Sequence, residues 1–282
     1  MRTLDVWYTS FAADAIVNSV KDKETQKRMK KRLADARIKA VNEYIFPKLV
    51  AHEGGLPKIK DDRPLLYHPR EHKKKEFAEI FRKAFAGYRE KLPEHVRSLL
   101  DRFKFLDLAL KVVGVGSVGT ACSVMLLMAN ENDPLFLQVK EAGPSVFEPY
   151  AGKSQFANHG KRIVVGCRLM QSASDIFLGW TESMVGRHFY VRQFKDMKIS
   201  PLVDVFKPTN MNYYAELCGR ILARSHASTG EPARIAGYMG KSDTIDQAIA
   251  DFSGAHADQG EEDHAVLKQA VRAGKLEVAD LG

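Results

Sequence analysis

The spacing of apolar and polar positions predicts helices in the first third of the chain. Apolar residues recur at helical spacing from Ala12 to about Val50, where Pro47 closes the segment, and again from Glu71 to Leu92. Pro93 then begins another short helix that continues through Phe105. Glycine and proline between residues 54 and 64 indicate a loop. The first hundred residues are therefore predicted to be mainly α-helical.

The pattern changes at Leu106, where β-branched and large apolar residues alternate with glycine and a polar turn. The segments LALKVV, IFLGW and HFYVRQF are typical of strands, and NHGKRIVVGCRLMQSASD (residues 158–175) is typical of a helix. Phe189, Val191 and Gln193 share one face of the last strand. We expect an α+β fold, with the strands beginning at Leu106.

After Pro208 the pattern is again helical. One helix ends near Gly230, PARIAGYMG forms another, and DQGEED is interpreted as a turn between the last two helices. The predicted organisation is a helical region over residues 1–105, a mixed lobe over 106–198 and a helical C-terminal region over 199–282.

Composition excludes several classes of protein. The chain has 282 residues, 45% of them hydrophobic, and lacks the run of 18 or more apolar residues that a membrane span needs. Its start does not match a signal peptide, so a cytoplasmic location without membrane contact is predicted. The net charge of +8 arises largely from two amphipathic helical segments, residues 21–39 and 70–85, without interleaved aromatic residues. Nucleic acid binding is therefore not favoured.

The glycine-rich segment GVGSVG supplies the candidate chemistry. Gly114, Gly116 and Gly119 fit G-x-G-x-x-G, and Ser117 lies between them, so backbone N–H groups can approach a phosphate. In a dinucleotide-binding fold, Gly119 opens a helix and Glu141 binds the ribose of NAD. In a kinase-like lobe, a strand follows instead, ENDP forms the hairpin turn, and the next strand carries Lys140 inward onto the phosphates. A glycine-rich hairpin that binds nothing is the third interpretation.

Longer strings carry a family resemblance. KVVGVGSVGT, DPLFLQVKEAGPSVFEPY, ANHGKRIVVGCRLMQSASDIFLGW, FYVRQFKDMK, YAELCGRILARSHASTG and GYMGKSD resemble the bacterial family known as domain of unknown function 2252. Members of that family usually also contain GDxHxxNF-like, DxND-like and WDLKRL-like segments ahead of these strings. Those segments resemble the catalytic loop and metal-binding segment of aminoglycoside-phosphotransferase-like kinases. The resemblance thus implies a circularly permuted kinase-like fold whose catalytic part lies outside this sequence.

The resemblance also implies a site and its ligands. ATP with Mg²⁺ is the implied cofactor, and backbone groups near Gln193 and Phe194 would contact adenine. A separate polypeptide would supply the missing catalytic half. The family's helix commonly carries a Glu that would pair with Lys140, but Val165 stands there, so Glu141 or Glu148 would have to replace it.

No catalytic residue is identified from the sequence. Asp175 and Asp196 are the acids of most interest, and both are interpreted first as helix-end or turn residues. We expect no metal site built by this chain alone, because the histidines lack the spacing of zinc ligands.

Three functions remain open on the sequence. The leading prediction is the nucleotide-binding part of a kinase-like phosphotransferase, inactive alone, which uses Gly114, Gly116, Ser117, Gly119, Lys140 and Gln193. The alternatives are an NAD-binding Rossmann-like protein and a non-catalytic interaction module.

Overall fold

The structure is a computed structural model that describes residue 6 and residues 8–38, 46–69, 71–114, 119–194 and 201–278. The chain divides into two compact units, Met1–Ser225 and His226–Gly282. Helices and strands alternate in the first unit, and the second is helical. None of the helices in the described ranges combines the length and apolar character needed to cross a membrane.

The first unit is built around a six-stranded antiparallel sheet with strand order β3-β4-β5-β6-β8-β7. These strands are β3 (Leu66–Tyr67), β4 (Lys104–Lys111), β5 (Cys122–Met128), β6 (Pro134–Glu141), β7 (Gly179–Glu182) and β8 (His188–Gln193). A separate hairpin is formed by β1 (Val50–Glu53) and β2 (Leu56–Ile59). The central strands β5 and β6 are apolar on both faces because other elements cover both sides of the sheet.

Seven helices of the first unit have both ends within the described residues. They are α1 (Ala13–Ser19), α2 (Lys23–Ile38), α3 (Glu71–Glu90), α4 (Glu94–Leu100), α5 (Glu148–Ala151), α6 (His159–Met170) and α7 (Pro208–Thr229). A 3-10 turn, Val203–Val205, precedes α7. The N-terminal part of α7 contacts α1 and α2, since the Tyr213 hydroxyl donates to the Ile16 carbonyl at 2.9 Å and the Asn210 amide donates to the Thr25 hydroxyl at 3.2 Å.

One face of the sheet, termed the α3 face, is covered by α3 and α4. Its inward side chains, among them Leu108, Met125, Leu137 and Val191, form a core cluster with Tyr88 of α3. The Tyr88 hydroxyl donates to the Phe177 carbonyl at 2.6 Å inside this core. Burial of these apolar side chains is the main force that holds α3 on the sheet.

The opposite face, termed the Lys140 face, is covered in two parts. Towards β3 and β4, its apolar residues Val124, Leu126 and Phe136 pack with residues of the β1–β2 hairpin. Towards β7 and β8, the covering element is α6, where the Lys161 ammonium lies 5.7 Å from the ring centre of Trp180. Polar side chains occupy part of this face between the two covers.

The second unit contains the end of α7 together with α8 (Pro232–Met239) and α9 (Thr244–Arg272). DQGEED lies inside α9, so the turn predicted there is wrong. Within that segment the Gln259 amide donates to Asp263 at 2.9 Å, one helical turn away. Such i,i+4 pairs and the length of the helix offset the cost of an internal glycine.

The α+β prediction is confirmed, but its boundaries need correction. Strands begin at Val50, not Leu106, so the region 1–105 contains β1, β2 and β3 as well as helices. These strands have only two to four residues, too few for a clear alternating pattern. The single helix predicted from Ala12 is interrupted before Lys23, because the Asp22 carboxylate accepts the N–H of Thr25 and caps a new helix.

The NAD-binding interpretation required a helix after Gly119, and that helix is absent. The segment is the strand β5, which pairs antiparallel with β4 and β6. Backbone turns between Asn130 and Asp133 close the β5–β6 hairpin, as the alternative interpretation predicted. A Rossmann-like sheet is parallel with crossover helices, so the dinucleotide-binding prediction is wrong.

Candidate functional site

Strand register places Lys140 in a row of side chains across the Lys140 face. Cys122 pairs with Lys140, Lys140 with Tyr190, and Tyr190 with Trp180. Side chains of directly paired residues in antiparallel strands lie on the same face, with Cβ atoms about 5 Å apart. The row therefore joins four strands without any of its members being neighbours in the sequence.

Two further cations lie beside Cys122. Lys111 is the last residue of β4. The β4–β5 pairing ends with Leu110 opposite Ser123, so the next residues, Lys111 and Cys122, also lie opposite each other, with Lys140 on the other neighbouring strand of β5. Arg192 of β8 donates through Nε and Nη2 to Oε1 of Gln138, at 3.2 Å each. The Gln138 Nε2 atom lies 3.5 Å from the Cys122 sulfur. Lys111, Lys140 and Arg192 are together called the cationic cluster.

Burial raises the pKa of the Cys122 thiol, while the positive charges of Lys140, Lys111 and Arg192 partly oppose that rise. The thiol is therefore neutral near pH 7, which argues against a nucleophilic role. In the described part of the chain, no carboxylate forms an ion pair with any of these three cations. The cationic cluster thus has a local excess of positive charge, which suits an anionic ligand.

The glycine-rich segment joins β4 to β5 at this end of the sheet. Gly114 and Gly119 are described, whereas Gly116 and Ser117 lie outside the described residues. Gly119 has φ of +79°, a conformation that other residues rarely adopt. Since Lys111 ends the first strand and Cys122 begins the second, the segment starts and ends next to the cationic cluster.

The two acids expected to replace the missing Glu do not pair with Lys140 in the described structure. Glu141 follows Lys140 on the strand and points to the other face, where its carboxylate accepts the Ala121 N–H at 2.8 Å and contacts Arg187 at 3.0 Å. Glu148 begins α5, and its carboxylate accepts the Ser145 N–H at 3.4 Å. Strand alternation turns Glu141 away from the cluster, so Glu141 does not replace the missing Glu as the partner of Lys140.

The backbone N–H groups at the predicted adenine contact already have acceptors. The Gln193 N–H donates to the Asp175 carboxylate, and the Phe194 N–H donates to the Phe136 carbonyl at 2.9 Å. Asp175 also accepts the Phe177 N–H at 2.8 Å, so this acid organises the turn before β7. Asp196, the other acid of interest, lies outside the described residues.

Sequence reasoning missed a second polar network, which lies near the β1–β2 hairpin. The His68 Nδ1 atom is 2.7 Å from Asp61, and its Nε2 atom is 3.0 Å from Asp107. Asp107 also accepts the N–H groups of Ile59 at 2.7 Å and Leu108 at 2.9 Å. An acid within the apolar string LDLAL was the available signal, because a strand buries such a position only when partners satisfy it.

This network shifts the ionisation of its members. Hydrogen bonding to Asp107 raises the pKa of His68 against the opposing effect of burial. Burial alone would raise the pKa of Asp107, but hydrogen bonds from His68 and from the backbone of Ile59 and Leu108 lower it overall. Both shifts favour a protonated imidazole beside an ionised carboxylate, so the network is a charged clamp between the loop after β2 and strand β4.

Comparison with known protein families shows which family the chain belongs to. A family described as "Uncharacterized protein conserved in bacteria (DUF2252)" matches residues 1–270. The chain belongs to the DUF2252 family. No curated protein and no solved structure matches it. The family resemblance inferred from the strings is thus confirmed.

All three residues of the cationic cluster lie within those DUF2252 strings. Lys111 begins KVVGVGSVGT, Lys140 lies in DPLFLQVKEAGPSVFEPY, and Arg192 lies in FYVRQFKDMK. Three segments that are separate in this DUF2252 chain therefore meet at one place in the fold. Among its described residues, no group of three or more His, Cys, Asp or Glu side chains is arranged to hold a metal ion.

Proposed function

We propose that this DUF2252 chain binds ATP, with the phosphates on the cationic cluster and under the glycine-rich segment. The observation that carries this function is the excess positive charge of Lys111, Lys140 and Arg192, three cations without a carboxylate partner among the described residues. A triphosphate supplies several negative oxygens, each able to accept a charge-assisted hydrogen bond from a lysine or arginine.

The arrangement of elements supports the same function. In protein kinases a glycine-rich loop covers the phosphates, a lysine on the third strand contacts them, and a helix follows that strand. Here the glycine-rich segment joins β4 to β5, Lys140 lies on the next strand β6, and α6 lies between β6 and β7. We therefore interpret β4–β8 with α6 as a kinase-like small lobe in circularly permuted order.

Phosphoryl transfer needs groups beyond this cluster. Mg²⁺ takes oxygen ligands and binds largely through substrate phosphates, so ATP itself would carry the ion here. Val165 occupies the place of the Glu that would orient Lys140, and no described carboxylate contacts the cluster. We propose that the residues described here bind nucleotide and that completing catalysis needs groups outside them.

Isothermal titration of the purified chain with Mg·ATP tests the binding. Loss of one charge-assisted contact costs about 1.5–3 kcal/mol, so Lys140→Ala should weaken the affinity for ATP about tenfold or more. Lys104→Ala is the matched control, because Lys104 is exposed and lies at the other end of β4 from Lys111. Equal affinities of wild type and Lys140→Ala for ATP would refute the assignment.

Salt and a competing cofactor sharpen the test. Binding to the cationic cluster is electrostatic, so affinity for ATP should fall as ionic strength rises. Inorganic triphosphate should compete with ATP, because it presents the same charged groups. Competition by NAD with equal strength would contradict recognition of the triphosphate.

The second unit favours an alternative function, a non-catalytic interaction module. Within it, Ile249, Phe252 and Val266 of α9 are each more than half exposed. Exposed apolar side chains on one helix are a common feature of protein-binding surfaces. Light scattering over a wide concentration range tests this alternative. A protein that stays monomeric would contradict self-association, and one that also fails to bind ATP would contradict the nucleotide-binding function as well.

A further inference from the structure

The α3 face of the sheet contains a cavity of about 190 Å³ below α3. It lies on the opposite face of the sheet from the cationic cluster, so it is independent of the proposed ATP site. Side chains of Phe81, Phe85, Tyr88, Met125 and Phe189 contribute to its lining.

Small residues on the central strand create this cavity. Ala121, just before β5, and Ser123, near its start, face α3 where larger side chains would fill the space. At the edge strand β7, α3 is already in close contact with the sheet. Gly179 has no side chain there, and a Cβ added to it would lie only 2.7 Å from the Tyr88 ring. The helix is thus held against β7 while a gap remains over the middle of the sheet.

The lining offers water few hydrogen-bond partners. The Tyr88 hydroxyl already donates to the Phe177 carbonyl at 2.6 Å, and the Thr181 hydroxyl donates to the Ala84 carbonyl at 2.6 Å. A buried water needs two to four polar partners, and apolar cavities of about 150 Å³ stay dry and accept benzene. This cavity is somewhat larger than that.

Neighbouring aromatic rings of α3 line one side of the cavity. Phe81 stacks on Phe85 with ring centres 6.0 Å apart, and Phe85 lies 6.0 Å from Tyr88. A planar ligand can make offset or edge contacts with these rings. The turn between β7 and β8 borders the cavity and provides a mouth, because Val185 is exposed there and Arg187 is half-exposed.

We infer that this cavity is a binding site for a small neutral aromatic molecule of one or two fused rings. Benzene and indole are the probes. Each should raise the thermal midpoint of the full chain as its concentration rises, because a ligand that binds the native state stabilises it by mass action. Circular dichroism reports the midpoint without an added dye.

Methyl NMR locates the bound ring. With [¹³C-methyl]methionine, benzene should shift the signal of Met125, which lines the cavity, through the ring current. Met128 is the internal control, because it packs on the Lys140 face. A shift of Met128 equal to that of Met125, or no shift of either, would overturn the inference.

Filling the cavity should remove the response. Ala84→Leu places a larger side chain into the space from α3, and Ala86→Leu is the matched control on the exposed side of the same helix. The benzene-induced rise in midpoint should persist in Ala86→Leu and disappear in Ala84→Leu. Ser123→Val fills the cavity from the sheet. If Ala84→Leu does not fold, the benzene-induced rise in midpoint is measured with Ser123→Val instead. Benzene responses that survive in the filled variants would refute the site.

Discussion

Asp107→Asn tests the charged clamp between His68 and β4. The substitution keeps the size of the side chain but removes the negative charge that His68, Ile59 and Leu108 contact through hydrogen bonds. His68 is the partner most affected, since its Nε2 atom then faces a neutral amide. The loop that follows β2 should consequently lose one of its attachments to β4.

The magnitude follows from burial and from the number of contacts. The side chains of His68 and Asp107 are 15% and 16% exposed, so solvent screens their interaction only in part. Hydrogen bonds to a charged group contribute about 1.5–3 kcal/mol each, and removal of one partner of a buried ion pair costs about 3–5 kcal/mol. Because an amide oxygen retains one backbone contact, we expect Asp107→Asn to lower the free energy of unfolding by about 2–3 kcal/mol.

The loss should depend on pH in a defined direction. The pKa of His68 is raised in the folded state, so its stabilising contribution is complete below the ordinary histidine pKa of 6.5 and is lost as pH rises through the folded value. The pKa of Asp107 is lowered, so its contribution is present above its ordinary value of 3.8 and is lost as pH falls through the folded value. The effect of the substitution should therefore be largest at about pH 5–6 and smaller above about pH 8.

Urea denaturation followed by far-UV circular dichroism, at about pH 5.5 and about pH 8.5, measures the difference. Asp101→Asn is the control, because Asp101 pairs with Arg89 at an exposed site and no histidine takes part in that pair. The control should show little change between the two pH values. A destabilisation by Asp107→Asn that is the same at both pH values would refute the charged clamp.

Four further substitutions should change stability through packing, capping or a buried hydrogen bond. Gly160→Ala should lower the free energy of unfolding by about 2 kcal/mol or more, because the new Cβ would lie 2.2 Å from the Phe189 carbonyl oxygen. In the same helix, a Cβ at Gly166 would meet nothing within 4 Å, so Gly166→Ala should raise the free energy of unfolding by up to about 1 kcal/mol. Asn158→Ala removes the side-chain cap of α6 and should cost about 1 kcal/mol by urea denaturation. Tyr88→Phe removes a buried hydrogen bond and should cost about 1–2 kcal/mol in the same assay; an unchanged midpoint would contradict that role.

Local signals predicted the long elements well. The helices α3 and α6 and the strand β8 occupy the segments that periodicity indicated, because each is long enough to show its spacing, whereas the segment of β5 was open to either a helix or a strand. The turn before Pro134 followed from its polar residues. These features depend on neighbours in the sequence and so are visible in it.

Long-range pairing produced the features that were missed. The two-residue strand β3 exists because β4 offers it a partner, and the acid at position 107 can be partly buried because His68 comes to it from 39 residues away. Glu141 was one of two candidate partners for Lys140, yet adjacent residues on a strand point to opposite faces. The periodicity of one segment does not show which other segment of the chain will pair with it.

The α+β class, the family and the interest of Lys140 follow from the amino acids alone, since composition, periodicity and long shared strings are properties of the chain before it folds. The meeting of Lys111, Lys140 and Arg192 beside Cys122, and the cavity on the other face, arise only in the folded chain. Register accounts for this: antiparallel pairing brings residues 11 to 81 positions apart in the sequence onto one face, and side-chain sizes on separate elements set the space between them.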